Sequence, residues 1–323
     1  MIERWVRFWD QREAPHSLAL VRILVGVTLL ADLLQMAVFD VVSLVMAPPP
    51  LGGAYGQPLE PAPLVVRWLG ASASTGAWVW ALAVVACALF SCGVAYRVTS
   101  WVLVFAMVEL GACQPVGDSI DSLLRIVLPV LAASGAGTVW SFDAWYRERR
   151  GHAPTLSVPA WPRYLIVVQL LWLYISAGHQ RDARMWGPPE FAALGNVLGD
   201  PHFARFAPGS FAPVYPLLQL GTLVTMAFEL TSPLYLCWLW LERHPERGGR
   251  FGNGVRRFRI RWVWLGAGAS LHAGIALGMK IGLFPFGILA LYPAFLRPSE
   301  LLGVLDWLRT ACRRAASGAP RAA

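Results

Sequence analysis

The side chains that could do chemistry are few, and they stand inside long apolar runs: Glu229, His272 and Lys280 as acid–base candidates, and Asp121 and Arg125 as an oppositely charged pair. A charged group at bilayer depth costs several kcal/mol unless it is paired or meets water, so such positions point to function first. Glu229 lies in Phe228-Glu229-Leu230-Thr231-Ser232-Pro233, where Pro233 frees carbonyls and bends a helix. It either pairs with a cation on a neighbouring helix or handles protons. His272 is the one histidine inside an apolar run, suited to a helix-to-helix hydrogen bond or to acid–base work. Lys280, the only lysine, follows eight residues on and so shares its helix face about two turns later; it either snorkels to the interface or serves as a base. Asp121 and Arg125, four apart, form either a structural ion pair or one wall of a polar cavity opening outward.

Cysteine chemistry is not indicated. Cys87, Cys92, Cys113, Cys237 and Cys312 make no Cys-x-x-Cys pair and sit mostly in apolar segments, so they read as small apolar residues with no metal site and no disulfide framework.

The elements that must position these groups are membrane helices. Of 323 residues, 56% are hydrophobic and only 14% charged, with 16 Trp and a mean hydropathy of +0.51. Soluble domains carry nearer a quarter charged residues. Runs of bilayer length fall at 18–41, 76–96, 100–113, 120–140, 164–178, 216–240, 262–282 and 284–296. The expected fold is therefore an all-α polytopic integral membrane bundle of about eight transmembrane helices. The net charge of +8 does not mark a nucleic-acid binder, because the arginines fall in loops between the runs. With the N-terminus inside, cytoplasmic segments hold Arg4, Arg7 and Arg12, Arg97, Arg147 to Arg163, Arg243 to Arg261 and the C-terminal arginines, against only Arg67, Arg181, Arg184 and Arg205 outside. This positive-inside pattern places both termini in the cytoplasm.

The expected organisation is one transmembrane domain over 1–300. It has a cytoplasmic segment at 1–17 without a cleavable signal, an outward loop or lid at 179–215 and a basic cytoplasmic loop at 242–261. A cytoplasmic tail at 301–323 is expected to be disordered at its end. Residues 143–150, with Trp145 and Tyr146 beside Arg147, Arg149 and Arg150, suit a short helix at the headgroup level. No internal repeat of the kind common in secondary transporters is visible, which ranks a transporter third among the readings.

Four stretches, in order, resemble the horizontally transferred transmembrane (HTTM) domain family, which includes the membrane part of vitamin K-dependent gamma-carboxylase. They are Leu18 to Gly26 with Leu30-Ala31-Asp32; Tyr174-Ile175-Ser176-Ala177-Gly178 leading to Trp186-Gly187; Glu229 to Pro233; and His272 through Lys280 to Phe284. The resemblance implies a helical membrane fold and a cavity admitting a quinol or other prenyl lipid. Where the carboxylase holds its lysine base, this sequence reads His179-Gln180-Arg181-Asp182 before Trp186. An arginine does not give up its proton, so Arg181 cannot serve as that base. His179, Arg181 and Trp186 join Asp121 and Arg125 as candidate polar-cavity residues. The carboxylase also carries a large lumenal region after its membrane part, whereas this sequence ends soon after its eighth run. Both departures point away from glutamate carboxylation.

Two main readings follow. One is a lipid- or quinol-dependent modifying enzyme in a bacterial cytoplasmic membrane, acting on a peptide or lipid. The alternative is a non-catalytic factor for maturation or export of a secreted peptide, similar to sporulation-delaying-peptide maturation proteins, working with a partner membrane protein.

Overall fold

The computed structural model describes residues 6, 9–53, 63–112, 119–207 and 209–317. Arg4, Arg7, Cys113, Arg321 and the end of the expected tail lie outside the described residues. The contacts divide the chain into two units, 1–166 with 290–323, and 167–289.

The first unit holds α1 (His16–Val38), α2 (Leu64–Leu69), α3 (Ala73–Cys92), α4 (Tyr96–Ala112), α5 (Ser119–Ala132) and α6 (Phe142–Arg149). It also holds the first turns of α7 (Trp161–His179). Strands β1 (Arg12–Glu13) and β2 (Val158–Pro159) pair antiparallel, with Arg12 opposite Pro159. Helix starts follow local chemistry. Ser72 caps α3 by accepting the Thr75 N–H at 3.1 Å, and Ser141 caps α6 by accepting the Ala144 N–H at 3.0 Å. Helix α3 stops at Gly93, which adopts φ 67°; a Cβ there would also press on Ser141 and the Arg22 guanidinium.

Charges buried in this unit are absorbed by backbone groups and, at Arg163, by a carboxylate as well. Arg22 is fully buried and donates to the carbonyls of Ala136 at 3.3 Å and Trp140 at 2.5 Å. Glu109, which the sequence leaves as an isolated charge in an apolar run, accepts from the N–H groups of Leu64 and Val65 at 3.2 and 2.8 Å, so it caps α2. Asp143 does the same for Ala95 and Tyr96 at the start of α4, at 2.9 and 2.8 Å. Arg163 forks onto Glu13 at 2.6 and 2.7 Å and donates to the Ala294 carbonyl at 3.0 Å.

The second unit holds the rest of α7, then α8 (Ala183–Trp186), α9 (Ala193–Gly199), α10 (Tyr215–Leu230), α11 (Leu234–Arg243), α12 (Gly249–Arg257), α13 (Ile260–Gly278) and the start of α14 (Phe284–Leu291). Its centre is aromatic. Phe228 stacks on Trp264 at 4.5 Å, Tyr174 meets Phe228 edge-on at 4.8 Å, and the Trp264 indole N–H donates to the Phe228 carbonyl at 3.1 Å. Arg261, expected in the basic loop, is fully buried and paired with Glu242 at 2.8 Å. A final helix, α15 (Pro298–Ser317), runs through most of the segment expected as a tail and belongs to the first unit.

Several apolar runs form shorter or broken helices. By length and composition, α1 and α3 are able to cross a membrane alone. Two further pairs qualify if each counts as one bent span: Ala212–Leu230 with Leu234–Arg243, bent 67°, and Phe284–Phe295 with Pro298–Thr310, bent 110°. The first break falls just before Pro233, where a missing N–H and ring crowding end the ladder. Run 120–140 is helical only to Ala132, one turn past Pro129, and run 262–282 stops at Gly278.

Candidate functional site in the second unit

Glu229 is 4% exposed, near the end of α10. Arg181, in the turn after α7, reaches it with both arms of the guanidinium: Nε to Oε2 at 3.0 Å and the second nitrogen to Oε1 at 2.5 Å. Gly178 allows this approach, since a Cβ there would come within 3.2 Å of Leu230 and of the Glu229 Cβ. The Arg181 guanidinium also lies 4.0 Å from the Trp186 ring centre, held over its face. Of the two roles open to Glu229, the structure displays the ion pair with a cation. A forked arginine fixes the carboxylate in place and neutralises it.

His272 is 3% exposed on α13, and its Nε2 lies 2.9 Å from the Tyr174 hydroxyl of α7. The two rings are tilted, with centres 5.9 Å apart, and Phe284 lies 6.1 Å away. This is a helix-to-helix hydrogen bond, and also a buried pair able to hold a proton between two atoms.

Lys280 corrects the expectation that it projects from the same helix face as His272. Helix α13 ends at Gly278 and Met279 is extended, because the backbone there pairs with residues 203–205 instead of continuing its own ladder. The Lys280 N–H donates to the Phe203 carbonyl at 2.7 Å, the Arg205 N–H donates to the Gly278 carbonyl at 3.1 Å, and Ala204 bridges Met279 antiparallel. The Arg205 guanidinium adds a bond to the Met279 carbonyl at 3.1 Å. Lys280 is exposed beside this clasp. His179 is exposed on the last residue of α7.

Next to these groups the second unit forms an open apolar cavity of about 480 Å³ between α9, α10 and α13. Leu194, Leu198, Val224 and Gly274 line its walls, and Phe206 and Phe211, edge to face at 5.6 Å, close one side. Thr225 and Ser270 are the hydroxyl-bearing residues in the lining. Thr225 stands one turn before Glu229, so the ion pair continues the same helix face. This volume lies within the usual range of small-molecule pockets. A prenyl or acyl chain fits such walls, with Thr225 and Ser270 as hydrogen-bonding partners for a polar head. His272 projects from a different part of α13 and is not in the lining.

The five expected polar-cavity residues are therefore divided. Arg181 and Trp186 join Glu229 in the second unit, whereas Asp121 and Arg125 belong to the first. There the Arg125 Nε donates to the Asp121 backbone carbonyl at 3.2 Å, and both residues line a cavity of about 20 Å³, room for about one water. Sequence reasoning missed Tyr174 and the cavity itself. The available signal was the row of small residues Ala267, Ser270, Gly274 and Gly278 along one face of α13, which leaves a groove where larger side chains would fill it.

The sequence profile of the HTTM domain matches residues 11–240. No curated protein and no solved structure matches the chain. The matched span covers α1 to α10, and with them the Arg181–Glu229 pair and the apolar helices expected of a membrane domain: the chain belongs to the HTTM domain family.

Proposed function

We propose that the second unit binds a quinol or other prenyl lipid in its apolar cavity, and that the protein uses this lipid in modifying a peptide or lipid at a bacterial cytoplasmic membrane. The observation that carries this reading is the cavity of about 480 Å³, walled by apolar side chains with two hydroxyls in the lining. A bound quinol would supply reducing power. The chain's own residues would hold its tail along α10 and α13, keep water out with Phe206 and Phe211, and offer Thr225 and Ser270 to its head. The Arg181–Glu229 pair fixes the turn after α7 to α10. In this reading the chain has about eight spans with both termini cytoplasmic, supported by the arginine distribution in the sequence, and helices besides the two long ones and the two bent pairs would also have to span. Residues 1–300 act as one functional domain in this reading.

Native mass spectrometry of the detergent-purified protein, with extraction of whatever lipid travels with it, tests the proposal. A prenyl lipid at one copy per chain, lost on Gly274→Trp in a protein that stays folded, is the expected result. Bulk phospholipid alone, unchanged by that substitution, would overturn it.

A second reading is favoured by one observation: Glu229 and His272 are both engaged, with Arg181 and Tyr174. This suits a non-catalytic factor in which the 179–215 segment handles a secreted peptide or a partner membrane protein. His272→Ala separates the two, since only the enzyme reading expects in-cell function to be lost while the fold persists.

A further inference from the structure

The first unit contains an open cavity of about 530 Å³ between the start of α1, the turn before α6, α6 itself and residues 154–156. Its lining combines opposite chemistries. Trp140 and Trp145 present aromatic surface, Glu148 supplies a carboxylate, and His16, Ser141 and Thr155 supply hydrogen-bonding groups. The His16 ring meets Trp140 edge-on at 5.1 Å, and its Nδ1 is enclosed without a hydrogen-bond partner. Outside the cavity the Arg149 guanidinium lies 4.3 Å from the Trp145 ring centre, and that of Arg150 lies 4.5 Å from the Tyr146 ring centre.

A carboxylate beside aromatic rings suits an ammonium group, while a guanidinium on the ring of Trp145, itself part of the lining, suits a phosphate. An ammonium joined to a phosphate is the headgroup of the zwitterionic phospholipids found at a membrane surface. Phe142, Trp145 and Tyr146 are all exposed on α6, with Arg147, Arg149 and Arg150 following, which is the composition of an interfacial helix. We infer that this cavity binds the headgroup of a zwitterionic phospholipid, its ammonium held by Glu148 and the two tryptophans and its phosphate by Arg149. The site is separate from the quinol cavity in its residues and in its unit, and stands whether or not that proposal holds.

The test uses full-length protein in nanodiscs holding equal amounts of phosphatidylethanolamine and phosphatidylglycerol, released into a native mass spectrometer. The wild type should retain phosphatidylethanolamine in preference. Glu148→Gln, at an exposed position, should lower the ratio of retained phosphatidylethanolamine to phosphatidylglycerol by about tenfold, the scale of one hydrogen bond to a charged group. Arg149→Gln should lower both lipids together, since both carry the phosphate. Equal retention of the two lipids by the wild type would overturn the inference. So would a preference that survives Glu148→Gln in protein whose thermal unfolding matches the wild type.

Discussion

The two units solve the problem of buried charge in different ways. In the first, the charges between helices go largely to the backbone, with Arg163 and Glu13 as an ion pair: Arg22 takes the carbonyls of Ala136 and Trp140, Glu109 takes the N–H groups of Leu64 and Val65, and the cavity at Asp121 and Arg125 is only about 20 Å³. In the second, charges meet charges, Arg181 with Glu229 and Arg261 with Glu242, and an apolar space of about 480 Å³ is left open. A side chain that ties off backbone groups stabilises one arrangement. A cavity flanked by a forked ion pair leaves apolar surface for something else to cover. The open space differs too: that of the second unit is apolar, whereas the cavity of about 530 Å³ beside α6 in the first is lined by aromatic and polar side chains.

The largest effect expected from breaking this comparison lies in the scaffold. Arg163→Ala leaves Glu13 and the Ala294 carbonyl without their partner, and should cost about 3–5 kcal/mol of stability in a denaturant titration in detergent. Glu229→Gln in the second unit removes a pair whose arginine side chain is 32% exposed, so the loss should be smaller, about 1.5–3 kcal/mol by the same measurement. A loss equal to that of Arg163→Ala would erase the distinction between the units.

Two glycines sharpen it further. A Cβ at Gly26 on α1 would come within 2.1 Å of Ser91 Oγ and 3.1 Å of the Phe90 ring, whereas one at Gly274 on α13 meets nothing within 4 Å. Gly26→Ala should therefore destabilise by about 1–3 kcal/mol through overpacking. Gly274→Ala should stabilise by up to about 1 kcal/mol, the helix-propensity gain, with thermal unfolding of the two variants moving in opposite directions.

The smallest effect belongs to residues 200–205. The Asp200 carboxyl accepts the His202 N–H at 2.9 Å, with the His202 ring also 2.9 Å away, and the first of these contacts chiefly holds its pKa below the ordinary 3.8. Because the folded value lies below the unfolded one, this contribution is complete above pH 3.8 and fades as the pH falls through the depressed value. Amide exchange at 200–205 should rise only in that acidic window, and Asp200→Asn should abolish the pH dependence.

Much of this was legible in the sequence because the signals are local. Pro233 after Glu229 marked the break between α10 and α11, and the arginines and aromatics of 143–150 marked α6. The Arg181–Glu229 pair was half visible, since the residue types announced opposite charges but their separation of 48 residues hid the contact. Lengths were misread where apolar composition continued past the helical ladder. Lys280 follows an unbroken apolar run, yet the backbone leaves the helix to pair with Phe203, a tertiary choice that hydropathy does not encode. The cavity was hidden for a related reason: small residues report an absence of side chain, and only a neighbour's position decides whether that absence is packing or space.

That single lysine has a use of its own. Every other basic side chain apart from the histidines is arginine, and Lys280 is exposed beside the backbone clasp with residues 203–205. Amine-directed reagents thus find one side chain, and a lysine-specific protease finds one bond. Both become a ruler for the clasp: cutting at Lys280 should quicken in a variant that breaks the pairing with 203–205, while acylation of the already exposed amine should stay the same.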